Sequence, residues 1–385
     1  MDKNGFSGAC SGQLVSTIGG RKAFVPDPLP PQKIDLNSIL PILSRATQAV
    51  GELKGIGRTI PNPMLLVRPL QRREAVSSSG MEGTYTTLSD LFLFEAGASA
   101  PDRQADNREV LNYVRALEGA IIDLDTLPIS ARLIRRAHGT LLSGLSNTRG
   151  AQVEAGEFKR DQNWIGGSGS IETARFIPAP PQATPDAIDT LMKFINRADR
   201  DDASPLIDVA LAHYQFEAIH PFGDGNGRVG RMLIALMLAE RGVLPQPLLY
   251  VSPWLERHKT FYIDLMFEVS QTGNWIPWIH FFLRAVAESA EETIRVVQRI
   301  QDLHKEYRDR FQTARRSALM LRIIDLAFER PVMSVSDIAQ ALGVTYAGAS
   351  NNVKELVKAG VAEEVGGTYP KLIRFPGVVE VMRVE

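Results

Sequence analysis

Apolar positions along most of the chain recur every three or four residues, the spacing of amphipathic helices. Over 35–51, Leu36, Ile39, Leu40, Ile42, Leu43 and Ala46 share one such face. The same spacing predicts helices over 87–94 (Leu88, Leu91, Phe92, Phe94), 107–124 (Val110, Leu111, Val114, Leu117, Ile121, Ile122) and 130–142 (Leu133, Ile134, Ala137, Leu141, Leu142). Neighbouring Ser, Thr and Asp residues are candidate N-caps. From Pro185 helices resume, through 191–195, 206–219, 229–240, 261–271 and 275–315, the last with a break near Pro277.

Three stretches depart from this period. Residues 1–34 are rich in Gly, Ser and Pro and read as an extended arm with little regular structure. Residues 65–75 mix three arginines with apolar positions. Residues 147–182 are Gly-rich, then Pro-rich; TARFIPA reads as a short strand, and the Gly/Ser tip at 166–170 predicts a hairpin. The character changes again at the C-terminal end. Helices over 319–328, 335–342 and 346–358, a tight turn at Gly343 and a hairpin in VAEEVGGTYPKLIRF give the winged helix-turn-helix order.

Composition narrows the class. With 43 basic and 44 acidic residues among 385, bulk charge draws the chain neither to nucleic acid nor to an anionic membrane. Its one cysteine, Cys10, cannot form an internal disulfide, which fits a reducing compartment. The longest apolar runs, such as 232–239, are too short to span a bilayer, and no apolar leader precedes them. A cytoplasmic, multi-domain protein without a membrane partner is the expectation.

The chemistry concentrates at 220–231, HPFGDGNGRVGR, a Gly-rich loop between two apolar helices. The loop feeds a helix N-terminus, whose free N–H groups and dipole favour an anion. Gly225 and Gly227 let the backbone approach a phosphate. Arg228 and Arg231, three residues apart, can clamp its oxygens. Asp224 is an oxygen ligand suited to Mg²⁺ shared with phosphates. His220, at the loop entrance, can serve as general base. Phe222 reads as a buried anchor. Together these predict a metal–nucleotide site with a proton acceptor.

This segment resembles the signature of the Fic family, H-P-F-x-D/E-G-N-G-R-x-x-R, at every defined position. EAVSSSGMEGT, GEFKRDQNWIGG with FIPAPP, and WIHFFL are also similar to family segments, and the resemblance spans roughly 25–290. It implies a mainly α fold: a Fic helical core with a β-hairpin flap, joined here to a small C-terminal winged helix-turn-helix domain. The expected division is 1–110 for the N-terminal arm and helices, 111–315 for the catalytic core and 316–385 for the winged domain. The resemblance further implies a protein adenylyltransferase: AMP passes from ATP to a Ser, Thr or Tyr hydroxyl of a target protein or of the enzyme itself. His220 would be the base, Asp224 the Mg²⁺ ligand, and Asn226, the loop N–H groups and Arg228 the stabilisers of phosphoryl charge. Tyr262 falls where relatives place an aromatic ring near the adenine; a partly buried helix tyrosine is the plain alternative. The flap, 165–176, would hold the target by strand-like pairing, and a homodimer is open.

A second motif, Ser78 with Glu82 and Gly83, resembles the family's N-terminal inhibitory motif. Glu82 would then pair with Arg231 and displace the γ-phosphate. The competing reading of Ser79-Gly80-Met81-Glu82 is a helix-starting capping box. De-adenylylation at the same site, with Glu82 positioning water, is an alternative activity. The C-terminal unit has eight basic and eight acidic residues, which favours a protein-interaction module over DNA binding, leaving a DNA-associated, nucleotide-sensing regulator as a further alternative.

Overall fold

The computed structural model describes residues 6–382 other than 33, 60–61, 99–102, 146–153, 201–202, 245–246 and 313–317. The N-terminal stretch is more regular than its composition suggests. Strands β1 (Gly12–Ser16) and β2 (Lys22–Pro26) pair antiparallel, with Leu14 opposite Phe24. Burial explains the order: the Phe24 ring meets Phe176 at 5.6 Å, and its N–H donates to Ile177 O at 2.8 Å. Two five-residue strands among Gly and Pro leave too short an alternation to read from sequence.

Helices α1 (Leu40–Thr59), α2 (Met64–Gly80), α3 (Leu88–Glu95), α4 (Gln104–Asp123) and α5 (Ala131–Leu141) follow. Thr87 and Ser130 are N-caps of α3 and α5, accepting from Asp90 N and Leu133 N. The mixed segment at 65–75 lies wholly inside α2. Its arginines reach carboxylates on neighbouring helices: Arg72 pairs with Glu95 and Glu118, both at 2.9 Å, and Arg73 pairs with Glu292.

Next come α6 (Thr184–Ile195), α7 (Pro205–Ile219) and α8 (Asn226–Glu240). In α7, 13 of 15 residues are buried, and in α8, 12 of 15. Helices apolar on all sides belong at the centre of a bundle. Around them pack α9 (Ser252–Arg257), which the sequence reading lacks, α10 (Lys259–Thr272) and α11 (Trp275–Phe311). Helix α11 is unbroken, since Pro277 sits in its first turn, where no intrahelical donor is required. Its 37 residues span about 55 Å, and α1 lies along it.

The C-terminal unit comprises α12 (Ala318–Glu329), β3 (Val332–Ser334), α13 (Val335–Leu342), α14 (Tyr346–Lys358), β4 (Glu363–Val365), β5 (Leu372–Arg374) and α15 (Pro376–Val381). The sheet runs β3-β5-β4, antiparallel throughout, with Arg374 between Val332 and Glu363. Helix, strand, helix, turn, helix and hairpin is the winged helix-turn-helix order. Strand β3 and α15 are additions to the sequence reading, each too short for a periodic signal. This unit packs on the rest: α12 against α2, where Asn62 Nδ2 donates to Glu329 Oε1 at 2.8 Å, and α15 against α11.

One apolar cluster runs from Phe24 to Met382, apart from a small one of Ala23, Ala174 and Ile177. The division drawn at 110/111 therefore falls inside the continuous helix α4 and inside a shared core. The division at 315/316, and the last residues of the helix expected to 315, lie outside the described residues. Among the described residues, no helix is long and apolar enough to cross a membrane.

Candidate active site

Helix α7 ends on His220, the one described residue other than glycine with positive φ (+51°). The turn behind it is held by a strap, residues 157–163. Lys159 Nζ donates to Ile219 O at 3.2 Å and His220 O at 2.9 Å, and Asn163 Nδ2 donates to His220 O at 3.1 Å and Phe222 O at 2.9 Å. Phe222 is fully buried, as expected, and stacks on His138 with centroids 3.8 Å apart. His138 accepts at Nδ1 from Gly156 N, so Nε2–H donates to Asp224 O at 3.0 Å. Burial pulls His138 down to about 4, keeping it neutral in this role.

The cradle opens where α8 begins. Gly225 has φ +76°, which an L side chain rarely adopts. At Gly227 a Cβ would meet the Glu82 carboxylate and the Arg231 guanidinium, so any side chain there would have to displace that pair. The Asn226 side chain differs from expectation. It turns inward, accepting from Phe222 N at 2.7 Å and donating one N–H to Phe222 O at 2.8 Å, so it ties the loop. Asp224 Oδ1 accepts from Gly225 N, while Oδ2 lies 3.8 Å from Arg228 on a side chain that is 39% exposed. Arg228 is fully buried and paired with Glu109 of α4, which also accepts from Thr84 Oγ1.

Arg231 is enclosed by the end of α2. Its Nε donates to Ser78 Oγ at 2.8 Å, and its Nη2 to Ser78 O at 2.8 Å and Glu82 Oε1 at 2.7 Å. Ser78 stands in the last turn of α2 and Glu82 in the turn just beyond it, its N–H donating to Ser79 O at 3.0 Å, and both side chains meet Arg231. Gly83, at φ +86°, turns the chain away. Residues 79–82 thus end a helix, and the capping-box reading, which needs a helix to start there, fails; the next helix starts under Thr87. Burial opposes the charge on Glu82, but Arg231 and Arg228 outweigh it and hold the carboxyl below its ordinary range.

His220 is pulled down to about 4, first by burial and then by the charge of Lys159, so its imidazole is neutral at physiological pH. Its Nδ1 lies 3.8 Å from Glu217 Oε2, a carboxyl that burial pushes up to about 7. The cleft in front of His220 is lined by Glu82, Gly227, Arg231, Tyr262, Ile165 and Phe176, among others. Tyr262 is buried, and its hydroxyl donates at 2.7 Å to Nε2 of His213, whose Nδ1–H donates to Gly230 O. The flap is less regular than a hairpin: Ile165 and Phe176 form a single bridge, and Gly166, Gly167 and Gly169 all have positive φ. A tip of such residues cannot extend a two-stranded ladder. On α14, Asn351, Lys354, Glu355 and Lys358 are exposed, whereas Asn352 is half-buried with its amide on Gly348 O.

Lys159, Asn163, His138, His213 and Glu109 are the site components that the sequence reading missed. His213 lies two turns before His220 on α7, Lys159 and Asn163 lie in the GEFKRDQNWIGG segment, whose resemblance gives them no roles, and His138 and Glu109 come from distant helices with no local pattern that marks them.

Residues 40–121 match the Fic/DOC family N-terminal model and residues 128–238 the Fic/DOC family model, together just over half of the chain. The chain belongs to the Fic/DOC family. Curated relatives include protein adenylyltransferase Fic of Drosophila mojavensis, 28% identical over 49% of this chain and 37% of its own length. Protein adenylyltransferase fic-1 of Caenorhabditis elegans is 27% identical over 53% of this chain and 36% of its own. The chain thus spans less than half the length of these relatives. A Fic family protein from Desulfovibrio desulfuricans shares the fold over 90% of this chain and 98% of its own (TM-score 0.56, 19% identity). Fic-1 from C. elegans does so over 70% and 75% (TM-score 0.51, 20% identity).

Proposed function

We propose that the chain is a protein adenylyltransferase that moves AMP from ATP to a hydroxyl of a target protein and of itself, and that Glu82 holds it in check. One observation carries this reading: a neutral His220 faces the same cleft as the α8 N-terminus, where Glu82 occupies Arg231. The activity named for the curated relatives supports it.

In the proposed reaction, His220 takes the proton of a Ser, Thr or Tyr hydroxyl. That oxygen bonds to the α-phosphorus as the bond to the bridging oxygen breaks, and pyrophosphate leaves. The N–H groups that open α8, with Arg228, stabilise charge on the phosphoryl oxygens, and Arg231 binds the triphosphate once Glu82 withdraws. Asp224 would hold Mg²⁺. Among the described residues no cluster of three or more His, Cys, Asp or Glu could hold a metal unaided, so the ion would need phosphate oxygens as its other ligands. The ion would neutralise triphosphate charge. Tyr262 forms the wall on the adenine side. Beyond its one bridge, the flap 165–176 offers its backbone to an extended target segment.

The test is incubation with labelled ATP and candidate targets, comparing wild type, Glu82→Gly and His220→Ala. Label transfer that requires His220 supports the reading. AMP release from modified protein without pyrophosphate formation from ATP would replace it with de-adenylylation.

A further inference from the structure

Lys159 is a buried charge that the transfer chemistry leaves unused. It is 7% exposed, no carboxylate among the described residues offsets its burial, and burial pulls it down to about 7, so the ammonium is fully charged only on the acid side of neutrality. Its ammonium instead donates to three neutral acceptors: Ile219 O, His220 O and, at 2.8 Å, Asn163 Oδ1. Its backbone N–H donates to Pro221 O at 2.9 Å, and Asn163 takes Phe222 O. Two strap residues therefore hold four consecutive carbonyls, 219 to 222. These are the negative end of α7 and the turn beyond it, where a cation is favoured. The same turn carries the left-handed backbone of His220, a conformation that persists only when its surroundings enforce it.

We propose that Lys159 is a positioning residue for His220: its ammonium enforces the left-handed cap that aims the ring into the cleft, and its charge opposes protonation of that ring. This rests on the reading of His220 as the base. Three charged groups act on the ring, Glu82 beyond α2, Asp224 in the ring's own loop and Lys159 on the strap, and the Glu217 carboxyl on α7, pushed up to about 7 by burial, lies 3.8 Å from its Nδ1. The carboxylates favour an imidazolium, and Lys159 opposes them. Acting after burial, it helps bring the ring to about 4. Without it, the ring would take up its proton at a higher pH, though burial would still hold it below its ordinary range.

The experiment has two readouts on the full chain. Histidine-selective ¹⁵N NMR, with His220→Asn for assignment, follows the titration of His220. Self-modification rate against pH is measured in the Glu82→Gly chain. Lys159→Met and Lys159→Gln, the second retaining hydrogen bonding should the first not fold, are expected to raise the His220 midpoint by about one pH unit. They should move the acid limb of the rate profile upward with it, while Lys159→Arg leaves both in place. An unmoved midpoint in the Met and Gln variants overturns the proposal. So does a lower rate with an unmoved acid limb, which is the mark of a merely structural lysine. If the Glu82→Gly chain transfers nothing at any pH, the transfer reading fails, and the NMR titration still decides the role of Lys159.

Discussion

Replacing Glu82 with glycine should make the protein less stable and faster at once. The carboxylate makes one charge-assisted hydrogen bond, 2.7 Å to Arg231 Nη2, and such bonds are worth about 1.5–3 kcal/mol. Its side chain is 34% exposed, so solvent screening brings the expected loss to about 1 kcal/mol. Arg231 keeps its two bonds to Ser78, so it is not left without partners. In a protein of this size that loss lowers Tm by about 1 °C. The rate moves the other way. On the proposed reading, Glu82 keeps a triphosphate from engaging Arg231, and misorientation of the α-phosphate costs on the order of 10². The carboxyl is held below its ordinary range, so the pair persists across neutral pH and mutation, not mild acid, is the way to break it. Initial rates of self-modification with labelled ATP and melting curves should be taken on one preparation. No rate gain would refute the argument, as would a gain that survives in the Glu82→Gly/Arg231→Ala double variant.

His220→Ala should lower transfer by about 10²–10⁴ while calorimetry still detects ATP binding, and near-normal turnover would remove the residue from its role. Asp224→Ala should lose activity together with its Mg²⁺ dependence; an unchanged Mg²⁺ titration with normal turnover would show that the ligand lies elsewhere. Glu109→Ala strands the fully buried Arg228 guanidinium and should cost about 3 kcal/mol, read from the denaturant midpoint. An unchanged midpoint would mean that Arg228 is neutralised by another group.

The centre of the site was legible because it is contiguous. Twelve residues hold the proposed base, the proposed metal carboxylate, the glycines and both arginines, and helix geometry relates them without tertiary information. Glu82 was legible only through resemblance. From spacing alone, Ser79 to Glu82 reads as a helix start, and only the fold shows that a helix ends there, one turn after Ser78 meets Arg231. Asn226 was assigned by its position in the motif, yet its amide is tied to Phe222. Lys159 and Asn163 arrive from about 60 positions earlier in the chain, His138 and Glu109 from farther still. Their meaning depends on which carbonyls or guanidinium they meet, and periodicity carries no such information. Strands β1 and β2 stayed hidden because their partner, the 176–177 segment, is remote in sequence.

Helix α2 touches two places at once. One end presents Ser78 and Glu82 to Arg231; the other packs on α12, beside the bond between Asn62 and Glu329. Its 17 residues separate those ends by about 25 Å. If Glu82 leaves Arg231 by a shift of the helix, the contact with α12 changes too, and the two equilibria become linked. Linkage is reciprocal: a molecule bound to the C-terminal unit that favours one position of α2 changes ATP affinity by some factor, and ATP changes the affinity for that molecule by the same factor. A coupling of about 1.4 kcal/mol along α2 would make that factor tenfold.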